Sequence, residues 1–215
     1  MKISLILVNK LNRLTIPSKY LENAVDQIAS LPGIGRRTAL RLALNLLNRT
    51  ELEITDFSNS IIDLKKKIRI CKNCGNISDQ ELCPICLNPN RDQTTICVVE
   101  DIRDVMAIES TASYQGIYHV LGGLISPMDG ISPHDLNIES LVEKVASGLT
   151  SEIIFALSPT MEGDTTNFYL YKKLQKFSPL ITALSRGVSV GAELQYVDEL
   201  TLSRSIQQRQ EFKTH

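Results

Sequence analysis

The chain has 215 residues, 43% hydrophobic and 22% charged, with a net charge of −1 at neutral pH. That composition is that of an ordinary globular protein with one large domain or two small ones, and no apolar run approaches the roughly 18 residues that span a bilayer. The near-neutral total hides an asymmetry: residues 1–72 carry 13 Lys+Arg against 6 Asp+Glu, while residues 73–215 carry 10 against 18. A basic first third can face phosphates, and an acidic remainder can bind metal or a basic partner; in either half the charge can also do no more than solvate the surface.

The opening ISLILV is short and runs into NKLNRLT without a small-residue cleavage site. Residues 1–17 are therefore expected to be an extension on a cytosolic chain, not a signal peptide. Ser18 is an N-cap candidate for a helix with Leu21, Ala24, Val25, Ile28 and Ala29 at helical spacing. LPGIG ends that helix, and a second is predicted from Arg36 to Leu47. Gly33 and Gly35 let the backbone turn sharply, and the helix that follows would aim free N–H groups outward, where a phosphate is favoured. Leu40, Leu44 and Leu47 fall on one face, and Arg37, Arg41, Asn45 and Asn48 on another. Residues 31–50 hold four arginines and no acid. This stretch resembles a helix-hairpin-helix, a motif that grips DNA phosphates without reading sequence; the competing reading is a helical hairpin for packing or dimerisation. One such motif on a chain of this charge binds weakly, so useful affinity requires several copies.

A third helix, DFSNSIIDLKKKI, leads into CKNCGNISDQELCPIC. Cys71, Cys74, Cys83 and Cys86 form two C-x-x-C pairs, with Gly75 and Pro84 placed for tight turns. Four thiolates suit one tetrahedral Zn²⁺ per chain and leave no open coordination position, which makes the site structural. Two disulfides do not suit a cytosolic chain, and a redox pair needs one C-x-x-C. Cys97, inside a predicted strand, is read as a small buried hydrophobe.

Beyond residue 94 strands and helices alternate: TTICVVE, RDVMAIES, GIYHVL, NIESLVEKVASGL, SEIIFAL, TTNFYLYKKLQKF and LITAL, then a last helix LTLSRSIQQRQEF. The pattern predicts an α/β fold with a mostly parallel sheet and flanking helices. Glu100 ends the first of these strands, with Asp101 and Asp104 just after it, and Glu162 and Asp164 follow a later one. A Glu on one strand and an acidic pair after another resembles the Toprim domain of topoisomerases, primases and some nucleases, in which a Glu and a D-x-D hold Mg²⁺ for phosphoryl transfer. Here Glu162 stands in place of the first Asp, which counts against metal chemistry; an acidic rim or a face for a basic partner is the other reading. The chain has no G-x-x-x-x-G-K-[ST] loop, so ATP hydrolysis is not supported. Tyr114, Tyr118, Tyr169, Tyr171 and Tyr196 lack the setting of a strand-cleaving nucleophile, and His119 and His134 are isolated, one in a strand and one in a loop.

A helix-hairpin-helix, a four-cysteine site and a Toprim-like domain in this order resemble the RecR family of bacterial recombination mediators. The likeness runs from about Ser18 to Phe212 and rests on LPGIGRRTALRLALNLL, CKNCGNISDQELCPIC, ICVVEDIRDVMAIE, HVLGGLISPMDGISPHDL, SPTMEGDTT and RGVSVGAELQYVDELTLSRSI. In the last segment the family has Pro where Ser189 stands and Gly where Ala192 stands. The resemblance divides the chain into an extension at 1–17, a helix-hairpin-helix region at 18–68, a zinc finger at 69–90, a Toprim domain at 94–190 and a C-terminal segment with a helix at 191–215. It implies a mediator without catalysis, cytoplasmic and associated with the nucleoid. Such proteins act with RecO, and in many bacteria RecF, to help RecA load onto single-stranded DNA coated by single-strand-binding protein. It also implies a ring-like tetramer binding single-stranded and duplex DNA without sequence preference, with the turn at Gly33 and Gly35 and the arginines Arg36, Arg37 and Arg41 on phosphate. Glu100, Asp101, Asp104, Glu162 and Asp164 would then serve chiefly as a docking face for RecO. The alternative is a Toprim-type, Mg²⁺-dependent nuclease or topoisomerase-like enzyme.

Overall fold

A computed structural model describes residues 16–209 and 211, so the N-terminal extension lies outside the described residues except for Ile16 and Pro17. The chain divides between Lys66 and Lys67 into two compact units. No helix of the described residues is long and apolar enough to cross a membrane.

The first unit is helical: α1 (Lys19–Ala29), α2 (Arg36–Leu47) and α3 (Glu51–Lys67). Ser18 caps α1, its side chain accepting from the Leu21 amide. Val25, Ala39 and Ala43 are buried together, with Ile16, Leu21, Ile28, Ile34 and Leu40 packed around them. The two alanines let α1 and α2 approach closely, while of the three leucines on one face of α2 only Leu40 joins this cluster. Leu44 and Leu47 are 43% and 73% exposed, and Ala24 on α1 is exposed too. Helix α3 starts five residues before its expected Asp56. The cause is a capping box: Glu53 accepts from the Thr50 amide at 2.8 Å and Thr50 Oγ1 accepts from the Glu53 amide at 3.4 Å.

The second unit begins with a two-residue antiparallel hairpin, β1 (Arg69–Ile70) and β2 (Ile77–Ser78), followed by the short helix α4 (Pro84–Leu87). Then come β3 (Asp92–Val99), α5 (Ile102–Ser110), β4 (Gly116–Val120), α6 (Ile138–Ala146), β5 (Glu152–Phe155), α7 (Met161–Leu174), β6 (Leu180–Ala183) and α8 (Glu199–Gln207). The predicted last helix stops at Gln207; its residues 210 and 212 lie outside the described residues. Strands β3 to β6 form a four-stranded sheet in the order β4-β3-β5-β6, parallel throughout.

Alternation along β3 feeds both faces of that sheet. Ile96 and Val98 join Ile117, Leu141, Val145, Ile153, Phe155 and Leu170 in the larger core, beneath α6 and α7. Cys97 and Val99 join Val105, Tyr118 and Val120 on the α5 side. Cys97 is thus the buried apolar side chain expected, and burial pushes its thiol up to about 12. The chain crosses from β3 to one neighbour, β4, and later enters β5 on the other side. This makes the carboxyl end of β3 the point where the strand order reverses, and Glu100 stands there.

Candidate functional site

Three groups of side chains carry candidate chemistry. The first is the turn between α1 and α2. Gly33 has φ +79°, a left-handed conformation that a side chain strains, and neither Gly33 nor Gly35 has a neighbour that a Cβ would meet. The turn is therefore open on its outer side. Gly35 is the N-cap of α2 and supplies no side-chain cap, so the amides of residues 36–38 keep the unsatisfied character of a helix start. Arg37 and Arg41, expected on phosphate, are exposed on one stripe with Asn45 and Asn48. Arg36 stands differently. Its guanidinium pairs with Asp26 and, at 3.5 Å, with Glu22, both on α1. Arg36, also expected on phosphate, is in this structure a clamp across the hairpin. The missed signal was the Glu22/Asp26 pair, spaced i and i+4 so that both acids face the start of α2.

The second group is the four cysteines. Their Sγ atoms lie within 4.8 Å of one another, and Cys71, Cys74 and Cys83 are buried while Cys86 is half-buried. All four are free thiols, so no disulfide forms among them. The first C-x-x-C is a tight turn in which the Gly75 amide donates to Cys71 O at 3.0 Å; in the second, the Leu87 amide donates to Cys83 O at 3.1 Å. Two donors already point at sulfur: the Cys83 amide to Cys71 Sγ and Asn73 Nδ2 to Cys86 Sγ, each at 3.3 Å. A hydrogen bond from Cys74 holds the Cys86 thiolate down to about 5, and the same bond pushes Cys74 well up. A set of four soft thiolate donors, three of them buried, suits a structural zinc ion.

This turn is seated on the sheet. The Val120 amide donates to Cys74 O at 2.7 Å, and Lys144 Nζ on α6 donates to Asn73 O at 2.5 Å. A Cβ on Gly75, whose φ is +75°, would come within 2.8 Å of Val120 O and of Asn137 Nδ2. Burial pulls the Lys144 ammonium below its usual pKa, and the cysteine sulfurs oppose that shift. The β1–β2 hairpin that frames the turn was not foreseen, because two-residue strands leave no periodicity to read.

The third group is the acids at the carboxyl ends of β3 and β5. Asp101 is the N-cap of α5, accepting from the Arg103 amide at 2.7 Å and pairing with the Arg103 guanidinium. Asp104 closes the box, accepting from the amides of Glu100 and Asp101 at 3.2 Å each. Glu162 and Asp164 sit in the first turn of α7, which starts earlier than predicted because Thr160 caps it. Glu162 is exposed. Asp164 pairs with Arg186 at 3.3 Å and Arg204 at 3.8 Å, and Arg186 holds its carboxyl below the usual range. Glu100 accepts from Ser158 Oγ at 3.4 Å. Among the described residues, the four cysteines are the only group of three or more His, Cys, Asp or Glu side chains close enough to share an ion. Beside the acids, a cavity of about 510 Å³ opens between the ends of β5 and β6, α7 and α8, with Arg186 and Arg204 in its wall. His119 is a buried strand residue, its Nε2 at 2.6 Å from Asn137 O, and burial lowers it to about 4.

The RecR helix-hairpin-helix family model matches residues 21–65, and the RecR four-cysteine zinc finger domain model matches residues 68–88. A recombination protein RecR of Bacteroides thetaiotaomicron is 58% identical over 90% of this chain and 94% of its own. The chain belongs to the RecR family. The RecR of Bacteroides fragilis is also 58% identical, over 91% of this chain and 96% of its own length, and that of Flavobacterium johnsoniae is 57% identical over 91% and 95%. The Toprim domain model matches residues 94–184, and the RecR C-terminal model residues 187–210. In RecR terms, Asp164 ties the Toprim-matched stretch to Arg204 of the C-terminal one.

Proposed function

We propose that this protein is a DNA-binding recombination mediator in recombinational repair, cytoplasmic and without catalysis of its own. It acts with RecO and RecF to help RecA load onto single-stranded DNA at gaps. The observation that carries the DNA reading is the open turn at Gly33 and Gly35, backed by an uncapped helix start and the exposed Arg37 and Arg41. Such a surface meets phosphate without consulting bases, so it accepts single-stranded and duplex DNA alike. The names of the curated relatives, recombination protein RecR, place them in recombination and support the same role here. A structural Zn²⁺ on Cys71, Cys74, Cys83 and Cys86 keeps the segment after the helices folded.

Each chain offers few phosphate contacts, which favours a ring-like tetramer that presents several copies at once. The apolar groove of about 490 Å³ walled by Leu31, Ile34, Leu42, Phe57 and Ile61 in the helical unit is surplus apolar surface of the kind that oligomers cover. Among the described residues no cluster of acids lies close enough to share an ion, so the acidic rim suits a docking face, with RecO as the basic partner, better than an Mg²⁺ site.

The test is DNA affinity across a salt series for Arg37→Glu/Arg41→Glu. Weaker binding with a shallower salt slope is expected, and unchanged binding would remove the phosphate role. Arg36→Met should instead lower thermal stability. The enzyme reading has its own test: Mg²⁺-dependent cleavage of supercoiled or single-stranded DNA, abolished by Glu100→Gln, would overturn the mediator assignment.

A further inference from the structure

Lys144 is half-buried on α6, and among the described residues no carboxylate pairs with it. Charges so placed are normally matched, because taking an ammonium even partly out of water is unfavourable. Its ammonium is fixed instead on the carbonyl of Asn73, in the middle of the first C-x-x-C turn. The same Asn73 sends its side-chain amide to Cys86 Sγ.

We propose that Lys144 is the counter-cation of the four-cysteine centre, offsetting the negative charge that four thiolates keep after binding a dication. The inference rests on the zinc reading of those cysteines and adds a residue far away in sequence to it. Three of the four sulfurs are buried, so their surplus charge is poorly screened by water. The two N–H···S bonds from Cys83 and Asn73 are neutral donors and leave the net charge as it is. Lys72, the lysine inside the motif, is exposed and already neutralised by Glu81 at 2.7 Å. Lys144, held on the carbonyl of Asn73 between Cys71 and Cys74, is a cation placed to offset the surplus charge. Its place on α6, beneath which the larger core packs, means that metal loading also fixes this helix to the cysteine turn. With the metal gone, the same ammonium keeps only the neutral carbonyl of Asn73 as its partner.

The experiment uses the full-length zinc-loaded protein with Lys144→Met, which keeps the stem, and Lys144→Arg, which keeps the charge. Zinc affinity is read by chelator competition, and thermal stability is read with and without zinc. Lys144→Met is expected to weaken zinc binding about 10- to 100-fold, the range for residues that support metal ligands, and Lys144→Arg to recover most of it. The stability gap between wild type and Lys144→Met should be present in the zinc-loaded proteins and vanish or reverse after chelation. A merely structural lysine would give the same gap in both states, and that result overturns the proposal. So does zinc affinity within twofold of wild type in Lys144→Met, or an arginine variant no better than the methionine one. Wild-type protein that binds no zinc would sink the zinc reading itself, a failure distinct from a wild type that binds zinc and a Lys144→Met variant that binds it equally well.

Discussion

Gly163 separates the two acids of the E-x-D on α7, and its lack of a side chain is a packing requirement. A Cβ built there would sit 1.9 Å from the carbonyl oxygen of Ser158. Relief needs a displacement of roughly 1 Å, and neither side yields freely in a close-packed interior. Ser158 O accepts from the Thr160 amide at 2.8 Å, and on the other side Thr166, buried on the next turn of α7, accepts from the Ile125 amide at 2.9 Å. Overpacking of this kind costs about 1–3 kcal/mol. Alanine recovers up to about 1 kcal/mol of helix propensity, less in a first turn. Gly163→Ala should therefore destabilise by about 2 kcal/mol, or ~4–8 °C in melting temperature for a unit of this size. Gly187→Ala is the matched control. Its Cβ would meet only Ser205 Oγ, at 3.9 Å, and its φ is not in the left-handed region. Restricting the unfolded chain should make that substitution neutral or stabilising by up to about 1 kcal/mol. Thermal and denaturant unfolding of the two variants, side by side, decides the matter: equal stabilities would refute the claim that α7 is seated on Ser158.

Cys83→Ser should lower zinc content and melting temperature together, measured by metal analysis and calorimetry; full stability in a zinc-free variant would contradict a structural ion. Glu109→Gln probes the pair formed with Arg91, whose side chains are only 29% and 13% exposed. Arg91, more than the Tyr118 hydroxyl that donates at 2.6 Å, holds Glu109 below the usual carboxylate range. A depressed folded pKa contributes stability that is fully present above the unfolded value, near ~4.3, and is lost as pH falls through the folded value. Glu109→Gln should thus cost about 1–3 kcal/mol at neutral pH, and its gap to wild type should narrow on acidification below about pH 4. A gap that stays constant with pH would rule out the carboxylate's charge as the cause.

Much of the fold was legible because long periodic segments carry their own signal. Arg36–Leu47 matches its predicted range, and the alternation of Ile96, Cys97, Val98 and Val99 divides between two cores as a two-sided strand should. The errors fall where small residues or caps decide the outcome. Leu40, Leu44 and Leu47 share a face of α2, but the buried residues are Ala39 and Ala43, because close helix approach rewards small side chains. Helices α3 and α7 begin early because Thr50 and Thr160 cap them, and a single threonine before a polar turn is a weak mark in a sequence. At the candidate sites, residue type was readable but the choice of partner was not. Arg36, Asp101, Asp104 and Asp164 looked available to outside ligands, and each has an intrachain partner fixed by the fold.

That assignment of partners bears on the proposed use of several copies of the chain. With Arg36 held by Asp26 and Glu22, the stripe on α2 offers Arg37 and Arg41 to phosphate. Two phosphate contacts give a log–log salt slope of only about −1.8 on duplex DNA, far from the steep dependence of proteins that hold DNA alone. Four copies acting together would approach about −7, with affinity raised by effective concentration and not by any new contact. The acids Glu22 and Asp26 therefore have a cost as well as a use. They fix the hairpin that shapes the turn, and they place two negative charges close to the surface that DNA would approach. A hairpin built in this way is specific in shape and weak in grip, which fits the proposed binding of DNA by several copies at once.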